Sequence, residues 1–290
     1  VSPEEAAEKR RLAEARLCRR SSGWPIFHRL VRGALMASGL ARRGLRNALD
    51  VQLRQLDWEA PARLDGLRIL HLSDSHLDGT PGLAEKLLDL ITATPHDLLV
   101  WTGDFRFRKW AFSPQELEPT LWLLRRLPPP RLGAWGVLGN HDLALQAPLL
   151  EEAGLKILVN QGVEAAPGLW VAGVDDPHHY RSAVPAAALA GRPAGSFALF
   201  LAHSPEAAEE AAGLGADLYL CGHTHGGQIR FPAFAPYLNS RAPRQRNHGP
   251  FQIGKMAGFT HAGSGSSTLP FRLGCPPEIL VHHLKSRKPS

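Results

Sequence analysis

Six short apolar runs along the chain each end in polar residues: LRILHLSD (67–74), DLLVWTGD (97–104), GAWGVLGNHD (133–142), LWVAGVDD (169–176), FALFLAHSP (197–205) and ADLYLCGHTHG (216–226). Near-continuous apolar runs of this length predict strands buried on both faces. Helical patterns lie between several of them, at about 81–92, 114–126, 143–153 and 205–213. Pro114 and Pro205 suit first helical turns, with Ser113 and Ser204 as candidate caps. Strands alternating with helices predict an α/β layered fold, in which the C-terminal ends of the strands form the ligand-binding edge. Beyond residue 226 the helical pattern stops, and residues 227–284 read as loop and strand.

The chain before residue 51 reads differently. Residues 1–20 predict a charged helix, and residues 24–49 a second one. In the second, Phe27, Val31, Ala34, Leu45 and Leu49 fall on one side and Arg29, Arg32 and Arg43 on the other. Of the formal net charge of +6, residues 1–46 carry +7, with eleven Lys/Arg against four Glu. The expected division is therefore a basic helical arm (1–50) and a near-neutral domain (51–290). Such an arm suits either an acidic membrane surface, with Trp24 at the interface, or packing on the domain. Arg and His interrupt the apolar residues between Trp24 and Leu40, so no secretory signal is evident. The longest uncharged run there, Gly33 to Ala41, is too short to span a bilayer. The cysteines (Cys18, Cys221, Cys275) are odd in number and far apart, with no C-x-x-C. This predicts a reducing, cytoplasmic setting, without a disulfide framework or thiolate zinc site.

The polar residues at the strand ends are Asp74 and His76, Asp104, Asn140, His141 and Asp142, His203, and His223 and His225. These are oxygen and imidazole donors with no thiolate, a set that suits two cations such as Mn²⁺, Fe or Zn²⁺. One strand-end histidine is ordinarily structural. Ligand-type residues repeated at strand end after strand end are better explained by metal, because a buried unpaired cluster of this size is costly and a cation compensates it. In extended chain, residues two apart point the same way, which fits the pair in G-H-T-H.

Taken together, D-S-H (74–76), G-D (103–104), G-N-H-D (139–142), A-H-S-P (202–205) and G-H-T-H (222–225) resemble the calcineurin-like metallophosphoesterase superfamily. LDGLRILHLSD, GGQIRFP and LPFRLGCPPEI (269–279) resemble a bacterial, membrane-associated phosphodiesterase branch that includes UDP-2,3-diacylglucosamine hydrolase-type enzymes. The resemblance spans about residues 60–285 and implies a four-layer α/β/β/α sandwich with two central mixed sheets. It also implies two divalent cations about 3.5–4 Å apart. Asp74, His76 and His225 would hold one, Asn140, His203 and His223 the other, and Asp104 would bridge them. A metal-activated hydroxide would attack phosphorus, with His141 as proton donor or charge stabiliser. Mn²⁺ is the expected metal, with Fe or Zn²⁺ as alternatives.

One position departs from the superfamily pattern. Many relatives carry G-D-x-x-D, whose second Asp orients the catalytic histidine, and here Phe107 occupies that place. Either Asp142 substitutes or a backbone carbonyl holds His141. Arg106, beside the site, is a candidate substrate-binding residue, able to grip a phosphate through two hydrogen bonds. The basic segment 238–255 offers Arg241, Arg244 and Arg246 as a rim, or is a solvated loop. His178, His179, His248 and His261 read as structural or exposed. The expected partner is a phosphorylated small-molecule or lipid-linked substrate met at the inner membrane face. A soluble phosphatase, a cyclic-nucleotide phosphodiesterase and a metal-stabilised binding module are the alternatives. Nucleic acid is disfavoured, because the body is near neutral and carries no recognised binding module.

Overall fold

The structure, a computed structural model, describes residues 33, 36–107, 113–230 and 240–286. The predicted helix over 1–20, and Trp24, Phe27, Val31, Ala34, Arg29 and Arg32 of the arm, lie outside the described residues.

All six apolar runs form strands: β2 (Arg68–Leu72), β3 (Leu98–Trp101), β4 (Ala134–Gly136), β7 (Leu169–Gly173), β8 (Phe197–Leu201) and β9 (Leu218–Cys221). They are joined by β1 (Gln52–Ala60), β5 (Lys156–Ile157), β6 (Gln161–Ala166), β10 (Gly249–Ile253), β11 (Met256–Thr260) and β12 (Glu278–Ser286). Among the described residues, two six-stranded mixed sheets result, in the orders β1-β12-β2-β3-β4-β5 and β10-β11-β9-β8-β7-β6. The inner strands β2 to β4 run parallel, as do β7 to β9. Antiparallel pairs join β12 to β2, β10 to β11 and β6 to β7.

Alternation along each strand divides the core into layers. Leu70, Leu72, Leu99 and Trp101 face α2 (Leu83–Ala93), α3 (Pro114–Leu124) and α4 (Ala147–Glu152). Ile69, Leu98 and Val100 point the other way and meet Val171, Leu199, Leu201 and Leu220 between the sheets. On the far side, Ala172, Phe200 and Tyr219 pack against α5 (Pro185–Leu189) and α6 (Ala208–Gly213). The small Ala188, Ala208 and Ala211 let those short helices lie close to the sheet. The layers are therefore α/β/β/α. The predicted caps do not form: neither Ser113 nor Ser204 makes a side-chain cap hydrogen bond. Proline at the start of each helix supplies a residue with no N–H to satisfy.

Between the sheets lies a polar pocket of histidines. The Trp58 indole N–H donates to His282 Nδ1 (2.8 Å), His282 Nε2 meets His71 Nδ1 (3.2 Å), and His71 Nε2 meets Thr102 Oγ1 (2.9 Å). An indole nitrogen only donates, so one neutral tautomer on each ring satisfies the whole chain. His261 stacks edge-on against His71, with centroids 4.8 Å apart.

The arm's described end forms α1 (Leu40–Asn47). Ala41 and Gly44 bury against the domain, where Ala41 joins Leu269, Phe271 and Leu273. A Cβ on Gly44 would lie 3.0 Å from Phe271 Cβ. The packed stripe is thus Ala41, Gly44 and Ala48, whereas Leu45 and Leu49 of the predicted apolar face are exposed. Among the described residues, no helix is long and apolar enough to cross a membrane.

Candidate metal centre

The ligand-type residues follow immediately on five strands: Asp74 and His76 after β2, Asp104 after β3, Asn140 and His141 after β4, His203 after β8, and His223 and His225 after β9. Two inter-sheet contacts close the edge. His223 N donates to Asp74 Oδ2 (2.9 Å), and His203 Nδ1 meets the Thr102 carbonyl (2.7 Å).

Two groups of donors converge. Asp74, His76, Asp104 and His225 bring one ligand atom each within 4.8 Å of one another, and Asp104, His203 and His223 do the same. Asn140 joins the second group through Oδ1, 3.0 Å from His203 Nε2. Asp104 belongs to both: its Oδ2 lies 3.5 Å from His76 Nε2 and 3.5 Å from His203 Nε2. His223 turns Nδ1 toward His203 Nε2 (3.2 Å), and His225 turns Nε2 toward Asp74 Oδ1 (3.3 Å).

The backbone is bent to make this arrangement. Of nine non-glycine residues with positive φ among those described, five are Asp74, His76, Asp104, His223 and His225. Left-handed conformations in such residues cost energy and persist where surrounding structure enforces them, commonly at functional sites. Glycine supplies the clearance. A Cβ on Gly139 would lie 2.2 Å from Asp104 Oδ1, and one on Gly222 2.2 Å from Asp74 Oδ2.

The electrostatics suit cations. Burial, with the nearby Asp104 carboxylate, pushes Asp74 up to about 7, against the pull of His203. Burial alone would raise Asp104 too, but His203, His141 and His76 hold it well below the usual carboxylate range. Burial lowers His203, but the charge and hydrogen bond of Asp104, joined by Asp74 and Asp176, outweigh it and raise the ring to about 10. Burial and the neighbouring His76 and Arg272 push His225 well below its ordinary value. A pair of repelling buried carboxylates ringed by imidazoles is a donor set that divalent cations fit.

His141 stands beside this cluster, its ring centroid 4.6 Å from that of His76. Its Nδ1 is 2.6 Å from the Phe107 carbonyl, so a backbone oxygen holds the ring where the second Asp of G-D-x-x-D is missing. Asp142 has another task. Its carboxylate accepts from the backbone N–H groups of Asp104 (2.7 Å), Gly139 (2.8 Å) and Phe105 (3.1 Å), tying the β3 and β4 loops together. Burial, with the Asp104 charge, raises it to about 6.

Arg106 corrects the sequence expectation. Its side chain has no exposed surface; Nε donates to the His141 carbonyl (2.9 Å) and Nη1 pairs with Glu116 at 2.8 Å. An arginine enclosed in this way braces the His141 loop and is not presented to substrate. In the basic rim, Arg246 pairs with Glu209 (2.6 Å), and Arg241 N–H donates to Glu206 (2.9 Å).

Two features are not assigned to the site by sequence: His178, which reads there as structural or exposed, and Arg272. His178, bound to Glu206 through Nδ1 (2.7 Å), packs against His223 with centroids 4.2 Å apart. Asp176 builds that turn by accepting from the N–H groups of His178, His179 and Tyr180. Arg272, fully buried, reaches His225 from behind. Only its place in LPFRLGCPPEI marked it.

Residues 67–227 match the sequence profile of the calcineurin-like phosphoesterases. An uncharacterized metallophosphoesterase of Bacillus subtilis, YkuE, is 30% identical over 241 residues, covering 78% of this chain and 82% of its own length. The phosphodiesterase YaeI of Escherichia coli is 30% identical, over 75% of this chain and 82% of its own. The UDP-2,3-diacylglucosamine pyrophosphatase LpxG of Chlamydia muridarum is 38% identical over a shorter stretch, 32% of this chain and 29% of its own.

Proposed function

The chain belongs to the calcineurin-like phosphoesterase family, a metal-dependent phosphoesterase by that membership, and on that premise we propose that it hydrolyses a phosphodiester or pyrophosphate bond at a two-metal site. Asp74, His76 and His225 would hold one cation, and Asn140, His203 and His223 the other, with Asp104 shared. The observation that carries this reading is the position of Asp104 Oδ2, 3.5 Å from one histidine of each group. Two bound divalent cations would supply an activated water and neutralise phosphoryl charge. Mn²⁺ is our choice, because oxygen and imidazole donors admit it.

The chain's own residues supply the rest. Donation from His141 Nδ1 to the Phe107 carbonyl leaves Nε2 on the Asp104 side, 3.8 Å from Oδ2. A protonated His141 holds its second proton at Nε2, where it serves the leaving oxygen or the phosphoryl charge. Arg106 and Asp142 fix the loops that carry His141 and Asp104.

The substrate class we favour is a lipid-linked or nucleotide-sugar phosphate, met at the cytoplasmic membrane face. It is supported by the name of the relative LpxG, a UDP-2,3-diacylglucosamine pyrophosphatase, and by the +7 charge of residues 1–46.

The test is metal content together with Mn²⁺-dependent hydrolysis of bis(p-nitrophenyl) phosphate. Asp104→Ala should lose metal and turnover together. His141→Ala should keep both metals and lose about 10²–10⁴-fold in kcat, the range of a general acid. A parent chain that takes up no metal, or an Asp104→Ala variant with full turnover, sinks the proposal.

A further inference from the structure

The segments GGQIR (226–230), which follows directly on His225, and LPFRLGCPPEI (269–279) contribute no ligand of their own, yet they are fastened together. Gln228 Nε2 donates to the carbonyls of Leu269 (2.6 Å) and Ser267 (3.1 Å), and its Oε1 accepts from Ser267 N–H (2.9 Å). Leu273 N–H donates to the Gln228 carbonyl (3.1 Å), and Arg230 N–H to the Leu273 carbonyl (2.7 Å). The later segment therefore lies along the loop that leaves the last ligand.

Arg272 projects from it with no exposed surface. Nε donates to the Gly265 carbonyl (3.0 Å), and Nη2 to the carbonyls of Gly265 and Gly263, the latter at 3.3 Å. Nη1 reaches the carbonyls of His225 (3.3 Å) and Cys275 (3.5 Å). Nη2 also lies 3.2 Å from His225 Nδ1, but with Nε2 facing Asp74 and His76 as a ligand nitrogen, Nδ1 carries the ring proton and accepts nothing from the guanidinium. Among the described residues, no carboxylate pairs with this guanidinium within 4.0 Å. A buried cation without an ion pair is expensive. Its compensation is a rigid five-donor fork that reaches the carbonyls of three chain segments at once, which no other side chain offers.

The backbone of Arg272 is itself held by α1. Its N–H donates to the Gly44 carbonyl (3.0 Å), and its carbonyl accepts from Asn47 Nδ2 (2.9 Å). One path of direct contacts thus runs from the end of the basic arm, through Arg272, to His225.

We infer that Arg272 is a positioning residue for one of the two metal sites, fixing the backbone of His225 from behind, with α1 as its buttress. The inference rests on His225 being a ligand, as proposed above. It predicts a site-selective defect. Arg272→Met in the full chain should keep one Mn²⁺ at parental affinity and weaken the other about 10–100-fold, the usual effect of removing a partner behind a ligand. Arg272→Lys should recover part of that loss, since an ammonium reaches some of the carbonyls. Stepwise affinities from calorimetry, with metal counted by mass spectrometry, read this without turnover. A general loosening of the core would instead weaken both sites together, and that result overturns the inference.

Should Arg272→Met fail to fold, Asn47→Ala carries the test by removing one hydrogen bond to the Arg272 carbonyl. It should weaken the same single site about twofold to tenfold, the range of an ordinary hydrogen bond. A folded Arg272→Met or Asn47→Ala chain with two parental-affinity sites sinks this inference alone. A parent chain that binds no metal sinks it together with the two-metal reading.

Discussion

Acid should unfold this protein through histidines that touch no metal. Burial, with neighbouring His261 and His283, pushes His282 down to about 3, and burial, with Arg272 nearby, pushes His261 to about 4. The ordinary value is 6.5. A histidine held neutral in the fold contributes stability that is present above its unfolded pKa and is lost as pH falls toward its folded one. For His282 that window runs from 6.5 down to about 3. The structural reason is the donor chain: a proton on His282 Nδ1 would face the Trp58 N–H, which has nothing to accept it with. Each pKa unit of difference is worth about 1.4 kcal/mol, so between pH 6 and 4 His282 alone costs about 2–3 kcal/mol. That is a large part of the roughly 5–15 kcal/mol of a typical domain. The perturbation is His282→Gln, whose amide oxygen accepts from Trp58 and whose amide nitrogen donates to His71 without titrating. Urea unfolding in a chelator from pH 7 to 4 should show the parent losing about 2–3 kcal/mol more than the variant. Titration of the ligand histidines is common to both chains and cancels in that difference. Parallel stability curves would refute the reasoning.

Three further outcomes are expected. Glu116→Ala leaves Arg106 buried without its carboxylate and should cost about 3–5 kcal/mol of stability. KM of that variant should stay near parental, whereas a large rise would restore Arg106 as a substrate contact. Gly222→Ala places a methyl 1.9 Å from Ser73 Oγ and 2.2 Å from Asp74 Oδ2. It should cost about 1–3 kcal/mol by overpacking and lower Mn²⁺ affinity, as a chelator competition would report. Removing residues 1–35 should abolish co-sedimentation with anionic vesicles while leaving α1 docked; unchanged binding would disprove a membrane role for the arm.

The elements with buried, uniform environments were the legible ones. β2, β3, β4, β7, β8 and β9 are apolar on both faces, so their runs stand out without any partner being known. β1 does not: most of QLRQLDWEA is exposed or half-buried, and it is a strand because it pairs with β12. The residues of the candidate metal centre are visible in the sequence because each sits just past one of those runs. Sequence misplaces Arg106, because nothing local to GDFRF announces that Glu116, ten residues later in a helix that begins at Pro114, encloses it. Sequence leaves the hold on His141 between Asp142 and a backbone carbonyl, and the main-chain oxygen of Phe107 that provides it has no sequence signature at all. In the arm, the described end is helical as the spacing predicts, and the residues that pack on the domain are the small Ala41 and Gly44, where Phe271 needs room, with Leu45 and Leu49 exposed.

The position of β12 has a consequence for how the protein is made. It lies between β1 and β2, pairing parallel with one and antiparallel with the other, although His71 and His282 are 211 positions apart. The second sheet draws only on residues 161–260 and can assemble as that stretch leaves the ribosome. The first sheet cannot: until residues 278–286 emerge, β1 has no neighbour and β2 presents an open edge. Pairing across such a separation is slow, and an unpaired apolar edge is a site for wrong association. A nonsense codon or protease nick just before residue 278 would therefore remove a central strand, and would stall the chain with one sheet complete and the other split in two.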